Sequence, residues 1–416
     1  MNYKYIFLIA AIIFLTNCGD SGSNSDSNTP TNYWQQIDWE TADNGSYASF
    51  YYNGLSPSCS NHPSTASSKF LFFVRYGTTN KLVIYFQGGG ACWHYNNCVE
   101  KPTYSEELMY YDNADILNLI SNGQAKSMGY SGIFDFTNPE NPFKDWNFVY
   151  IPYCTGDLHW GQSDTEYTKN TLSATIRHRG HVNFQLVLQW LKDHFKNPDP
   201  DVIFVTGISA GSYGAIFNFP YIAEEFTNSE IHLLGDAGNG VITNTFKQNI
   251  DTLWGASLPD TGTFHEFDSY NIDGLTIADL YSTIANFYSN YRFGQYTAAW
   301  DENQVFFYNV MLNIENPGTD YENWYNPLES VWCDWHDEML SILDTTVANL
   351  TTDPNNYAYF ISPGEVHTIL MNNEVYTLTV NDVRFVDWLR SIVEGGATFT
   401  NVVCTDCQQP ENVVCQ

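Results

Sequence analysis

The sequence predicts an α/β fold: a mainly parallel sheet flanked by helices, with cap insertions. Two observations predict it. Short apolar, β-branched runs alternate with helix-compatible stretches from about residue 33 onward, the order expected of βαβ units. One run, Asp201-Val-Ile-Phe-Val-Thr-Gly207, opens directly into Ile208-Ser209-Ala210-Gly211 and a further helix-compatible stretch at 215–226. A strand followed by a tight Gly-x-Ser-x-Gly turn and a helix is the setting in which a serine hydroxyl is held out from a sheet edge. With 416 residues, 43% hydrophobic and 16% aromatic, the chain is long enough to bury a large core.

The first 17 residues read as an export signal, with Lys4 ahead of an apolar stretch at 5–15 that is too short to span a bilayer. Leu15-Thr16-Asn17-Cys18 resembles a bacterial lipobox, although Asn17 stands where Gly or Ala is usual. Cys18 is then the acylated first residue, 18–34 a Ser/Asn/Gly-rich tether, and 35–416 a single catalytic domain. The expectation is a lipid-anchored protein of the bacterial cell envelope, at the outer membrane or cell surface. The alternative is ordinary secretion. No later run is apolar and long enough for a transmembrane helix, so membrane contact is expected only through the N-terminal anchor.

Strands are predicted at 70–75, 82–87, 148–152, 202–206, 232–235 and 357–362, with a shorter extended stretch at 293–297. The insert at 103–145, rich in Tyr, Asn and Gly, is expected to cap the sheet edge. A helix at 182–195 presents Val182, Leu186, Trp190 and Phe195 on one side, and Asn197-Pro-Asp-Pro200 stops it. Beyond Cys18 the cysteines are Cys59, Cys92, Cys98, Cys154, Cys333, Cys404, Cys407 and Cys415. An even set in an exported chain reads as a disulfide framework, with connectivity left open among 105 pairings. Cys92 and Cys98 either clamp their own loop or bond distant partners. Cys404-x-x-Cys407 lacks a second such pair or a neighbouring histidine pair, so no metal site is expected. The net charge of −31, from 16 basic and 47 acidic residues, excludes nucleic acid as a partner.

An activated serine needs a base, an acid that orients the base, and donors for the oxyanion. In an α/β-hydrolase these follow in the order Ser, Asp or Glu, His. After Ser209 come His232, at a strand start; His265, in a loop without a preceding strand; His336, in a helical run; and His367. His367 follows a strand and the turn Pro363-Gly364, where the base belongs. Spacing leaves the acid open between Asp236 and Asp301, each just after an extended stretch. The strand at 82–87 ends in Gly88-Gly89-Gly90-Ala91-Cys92. The N–H groups of Gly89, Gly90 and Ala210 are the expected oxyanion donors. No Lys-Ser/Thr follows these glycines, which excludes a phosphate-binding loop. Trp93 and Asp236 are candidate pocket residues, and no cofactor is expected.

Several ordered motifs together resemble the pectin acetylesterase/Notum family of serine carboxylesterases. They are Gln87-Gly-Gly-Gly-Ala-Cys-Trp93, Pro152-Tyr-Cys-Thr-Gly-Asp157, Gly207-Ile-Ser-Ala-Gly211, Gln295-Tyr-Thr-Ala-Ala-Trp-Asp301 and His367-Thr368. The resemblance spans about residues 58–407 and implies an α/β-hydrolase-like fold, Ser209 as nucleophile, His367 as base and Asp301 as acid. Gln87 stands where an acidic residue is common, and Gly90-Ala91 where bulkier residues are typical. The implied activity is removal of acyl groups, acetyl first, from an O-acylated polysaccharide or similar ester. The alternatives are a fatty-acyl esterase acting on lipid or lipidated protein, and a non-catalytic surface lipoprotein that binds glycan or a partner.

Overall fold

The computed structural model of the chain describes residues 34–65, 67–106, 132–316 and 321–415. The export signal, Cys18, the tether up to residue 33 and positions 107–131 of the expected cap lie outside the described residues. The strands are β1 (Gln35–Ile37), β2 (Phe72–Arg75), β3 (Lys81–Phe86), β4 (Asn147–Ile151), β5 (Ser163–Lys169), β6 (Leu172–His178) and β7 (Val202–Ile208). They continue with β8 (Glu230–Asp236), β9 (Phe293–Ala298), β10 (Tyr357–Ser362), the short ribbon β11 (Thr379–Val380) and β12 (Val383–Arg384), and β13 (Val402–Val403). The longer described helices are α1 (Gly180–Phe195), α2 (Ala210–Glu225), α3 (Ile277–Phe287), α4 (Glu302–Glu315), α5 (Glu329–Ala348) and α6 (Phe385–Glu394).

Among the described residues, nine strands make one sheet in the order β1-β2-β4-β3-β7-β8-β9-β10-β13. Every neighbouring pair from β4 to β13 is parallel, while β1 and β2 run antiparallel at one edge. The apolar runs read from the sequence are buried nearly throughout: Leu82 to Phe86 in β3 and all of β4 are inaccessible. Parallel strands covered on both faces require such runs, because neither face can be polar. In α1, Val182, Leu186 and Trp190 are buried as the four-residue spacing predicts. Helix α2 begins at Ala210, five residues before the expected start, so no loop separates β7 from its helix.

The hairpin of β5 and β6, inserted between β4 and α1, escapes the sequence reading. Its strands are paired from Ser163–His178 to Lys169–Leu172 around the two-residue turn Asn170-Thr171, and Asn170 takes a positive φ of 57°, as such turns require. The cysteines pair as Cys59–Cys154, Cys92–Cys98, Cys333–Cys415 and Cys404–Cys407. The Cys404-x-x-Cys407 thiols are thus bonded to each other. Strand β3 leads on to β4 on one side and its neighbour β7 leads on to β8 on the other, so the chain leaves the C-terminal ends of these two adjacent strands in opposite directions. The crevice at such a switch point is where open α/β sheets bind ligands, and the loops after β3 and β7 both open into it.

Candidate active site

Ser209 occupies the single position between β7 and α2, with φ 51° and ψ −123°. A non-glycine residue held there carries about 1–3 kcal/mol of strain, sustained only if the surroundings over-determine it. They do: the Ser209 N–H donates to the Asp236 carbonyl at 2.7 Å, and the Ser209 carbonyl accepts from Ser212 N–H at 3.0 Å. A Cβ on Gly211 would sit 2.0 Å from the Phe86 carbonyl oxygen, so the turn can form only with glycine at that place. Ala210 opens α2, and the first amides of a helix have no intrahelical acceptor.

Asp301 caps the start of α4. Its Oδ1 accepts the backbone N–H of Asn303 and Gln304 at 3.1 and 3.0 Å, and its Oδ2 accepts the Gln304 side-chain amide at 2.9 Å. The carboxylate is fully buried. His367, in the loop after β10, places Nδ1 2.8 Å from both Asp301 oxygens. Strands β9 and β10 are adjacent, with Ser362 paired to Ala298, so the loops that follow them meet. Burial disfavours the imidazolium, yet the charge of Asp301 and its hydrogen bond, with Asp236 and Glu302 behind, hold the His367 pKa above the ordinary imidazole value. The other histidines after Ser209 are engaged elsewhere. His232 is buried against Glu230 and Arg292, His265 is exposed beside Asp260, and His336 bonds the Ala299 carbonyl and stacks on Trp300.

Ser209 and His367 stand where two cavities meet. The first is walled by apolar side chains including Trp93, Leu158, Trp160, Phe246, Ile250 and Met311, with Gly90 and Ala210 beside Ser209. The second is more open and polar, lined by Gly89, Gly90, Thr103, Tyr104, Ser105 and Asn303 among others. Gly90 borders both; its φ is 75°, and a Cβ there would lie 2.1 Å from the Thr103 carbonyl oxygen. The next two amides, of Ala91 and Cys92, are engaged by the Thr103 and Gly156 carbonyls. Trp93 is thus in the apolar wall, edge-on to Phe246 with centroids 4.9 Å apart. Asp236 lies behind that wall: its neighbour Ala237 lines the cavity, while its own carboxylate accepts the N–H groups of Ile369 and Leu370. That corrects its expected place in the pocket, because the carboxylate faces the histidine loop.

The sequence reading passed over Gln304, which braces Asp301 and lines the apolar cavity. The signal was present: Gln three residues after a capping Asp is a helix-start pattern. The pocket residues Leu158, Trp160 and Met311 were also passed over, and nothing in their local sequence separates them from ordinary core.

Comparison with known proteins gives consistent results. The family described as Pectinacetylesterase matches residues 67–279. The palmitoleoyl-protein carboxylesterase NOTUM of Schmidtea mediterranea is 32% identical over 151 residues, which is 35% of this chain and 26% of that protein. The chain therefore matches about a quarter of the length of that curated relative. The Drosophila Wnt deacylase Notum superposes with a TM-score of 0.57 at 17% identity, covering 85% of this chain and 94% of that one. A second crystal form of it gives 0.55, with 97% of its chain covered. At that identity the likeness is one of fold.

Proposed function

The chain belongs to the pectinacetylesterase family, and from that premise we propose that it is a serine carboxylic ester hydrolase working through Ser209, His367 and Asp301. One observation carries the reading: His367 Nδ1 lies 2.8 Å from both oxygens of buried Asp301, while its ring borders the cavities that Ser209 also borders. Ser209 Oγ attacks the ester carbon as its proton passes to His367 Nε2, and Asp301 stabilises the imidazolium that forms. The N–H groups of Gly89, Gly90 and Ala210 receive the oxyanion. Collapse breaks the bond to the alcohol oxygen, which takes the proton from His367. Water, deprotonated by the same imidazole, then cleaves the acyl-serine and frees the acid. Residues 35–416 serve as one catalytic domain in this scheme.

The apolar cavity favours an acyl group longer than acetyl. A methyl group leaves most of that wall uncovered, whereas each further CH₂ buried there contributes about 0.8 kcal/mol. This supports the fatty-acyl alternative, in line with the palmitoleoyl-protein carboxylesterase named among the relatives. The acetyl-polysaccharide reading draws on the family description and on the polar cleft, which suits a hydroxylated acceptor. Rates on aryl esters from acetate to dodecanoate decide between them. We expect kcat/KM to climb past butyrate; a steady fall from acetate onward returns the acetyl reading. Ser209→Ala and His367→Ala should each abolish turnover, and the double variant should lose no more than either alone. Turnover surviving in Ser209→Ala would sink the triad. Export and anchoring through Cys18 in the cell envelope complete the proposal; a fatty-acid probe should label the wild type but not Cys18→Ser.

A further inference from the structure

We propose that Asp236 is a positioning residue that locks the nucleophile turn and the histidine loop to one another. It ends β8, directly beside β7, and is fully buried. Its carbonyl accepts the Ser209 N–H at 2.7 Å. Its carboxylate Oδ2 accepts the N–H groups of Ile369 at 2.9 Å and Leu370 at 2.8 Å, and Oδ1 makes a longer contact to Ile369 at 3.2 Å. One residue therefore holds both Ser209 and the segment that begins two positions after His367.

Backbone strain gathers around this residue. Ser209 has φ 51°, Ala237 has φ 59°, and Thr368 has φ 63°. For β-branched Thr368 that conformation is a true outlier, and it is the residue that links His367 to Ile369. Strain of this kind persists only where bonds on either side dictate it, and here those bonds run to Asp236. Ala237 is held in turn by its N–H to the Tyr296 carbonyl at 2.8 Å. A buried carboxylate is costly, and two backbone N–H groups could be satisfied by a neutral acceptor. Burial raises the Asp236 pKa to about 7, so on the acid side it acts through its acceptor oxygens and not through a charge. The groups facing Asp236 are His367, Asp301 and the phenols of Tyr85 and Tyr296.

The inference rests on the Ser209–His367–Asp301 reading, and the test separates the two. Full-length Asp236→Asn and Asp236→Leu are compared with wild type for kcat and KM on an aryl ester. We expect Asp236→Leu to lower kcat about 100-fold with KM little changed, the scale of loss when reacting groups shift by about 1 Å. Asp236→Asn, which keeps one acceptor oxygen, should recover most of that kcat. A KM rise at constant kcat, or an Asp236→Asn kcat no better than that of Asp236→Leu, would overturn the proposal; if the leucine variant does not fold, Asp236→Ala takes its place. A wild type without turnover would instead overturn the triad reading.

Discussion

His367 is drawn in opposite directions by burial and by Asp301, and the carboxylate prevails. A base must be neutral to accept a proton, so a raised pKa costs activity on the acid side. The acid limb of kcat/KM is therefore expected above the ordinary imidazole value of about 6.5. Asp301→Asn should shift that limb downward and cut kcat by several orders of magnitude, roughly 10⁴ in the worked serine-protease case. A limb that stays in place would assign the shift to another group. Asp236 carries the opposite balance: burial raises its pKa to about 7 against the bonds from Leu370 and Ile369 and the charge of His367. Its contribution to stability is then fully present below the unfolded carboxyl value of about 3.9 and lost as pH rises through the folded value. Among single residues, Ser209 and His367 were legible because each follows a strand within a distinctive turn. Spacing could not choose between Asp236 and Asp301, since Asp236 ends β8 and Asp301 lies three residues past the adjacent parallel strand β9. What separates them is the direction of the side chain, which the sequence does not encode locally. The family resemblance supplied the choice.

The parallel strands were legible at the level of elements because burial on both faces forces unbroken apolar runs. The β5–β6 hairpin was not, since its residues are mostly exposed or half-buried and carry little apolar pattern beyond buried Tyr167 and Ile176. The helices between β8 and β10 were likewise under-read, α5 being longer than the stretch anticipated. The cysteines announced a framework without its partners. Cys92–Cys98 clamps the segment that follows Gly89 and Gly90, while Cys59–Cys154 joins positions 95 apart. By loop-closure entropy, a cross-link of that span should contribute about 4–5 kcal/mol. The Cys59→Ser/Cys154→Ser variant should therefore unfold at markedly lower denaturant than a Cys92→Ser/Cys98→Ser variant. Equal midpoints would mean that the long closure adds no more than the short one.

Across the whole molecule, a net charge of −31 opposes the approach of a polyanion over about a Debye length, ~8 Å at physiological salt. Acetylated pectin should be hydrolysed faster as salt is added, while a neutral aryl ester should show little change. Faster pectin hydrolysis at low salt would reveal a local attraction stronger than the global field. Charge was readable from composition, but the two cavities were not, since their walls come from segments scattered along the chain. That scattering extends to the loop bearing His367. Gly364 N–H bonds the Cys407 carbonyl, and the Cys404 N–H bonds Ile361. The same terminal stretch is tied to α5 through Cys333–Cys415. A growing polypeptide therefore acquires Ser209 well before residues 404–407, which brace the loop of His367. During synthesis Ser209 is thus present before the braces of the His367 loop, so a hydrolase of the proposed kind would stay unarmed until residues 404–415 have docked and their cysteines have oxidised.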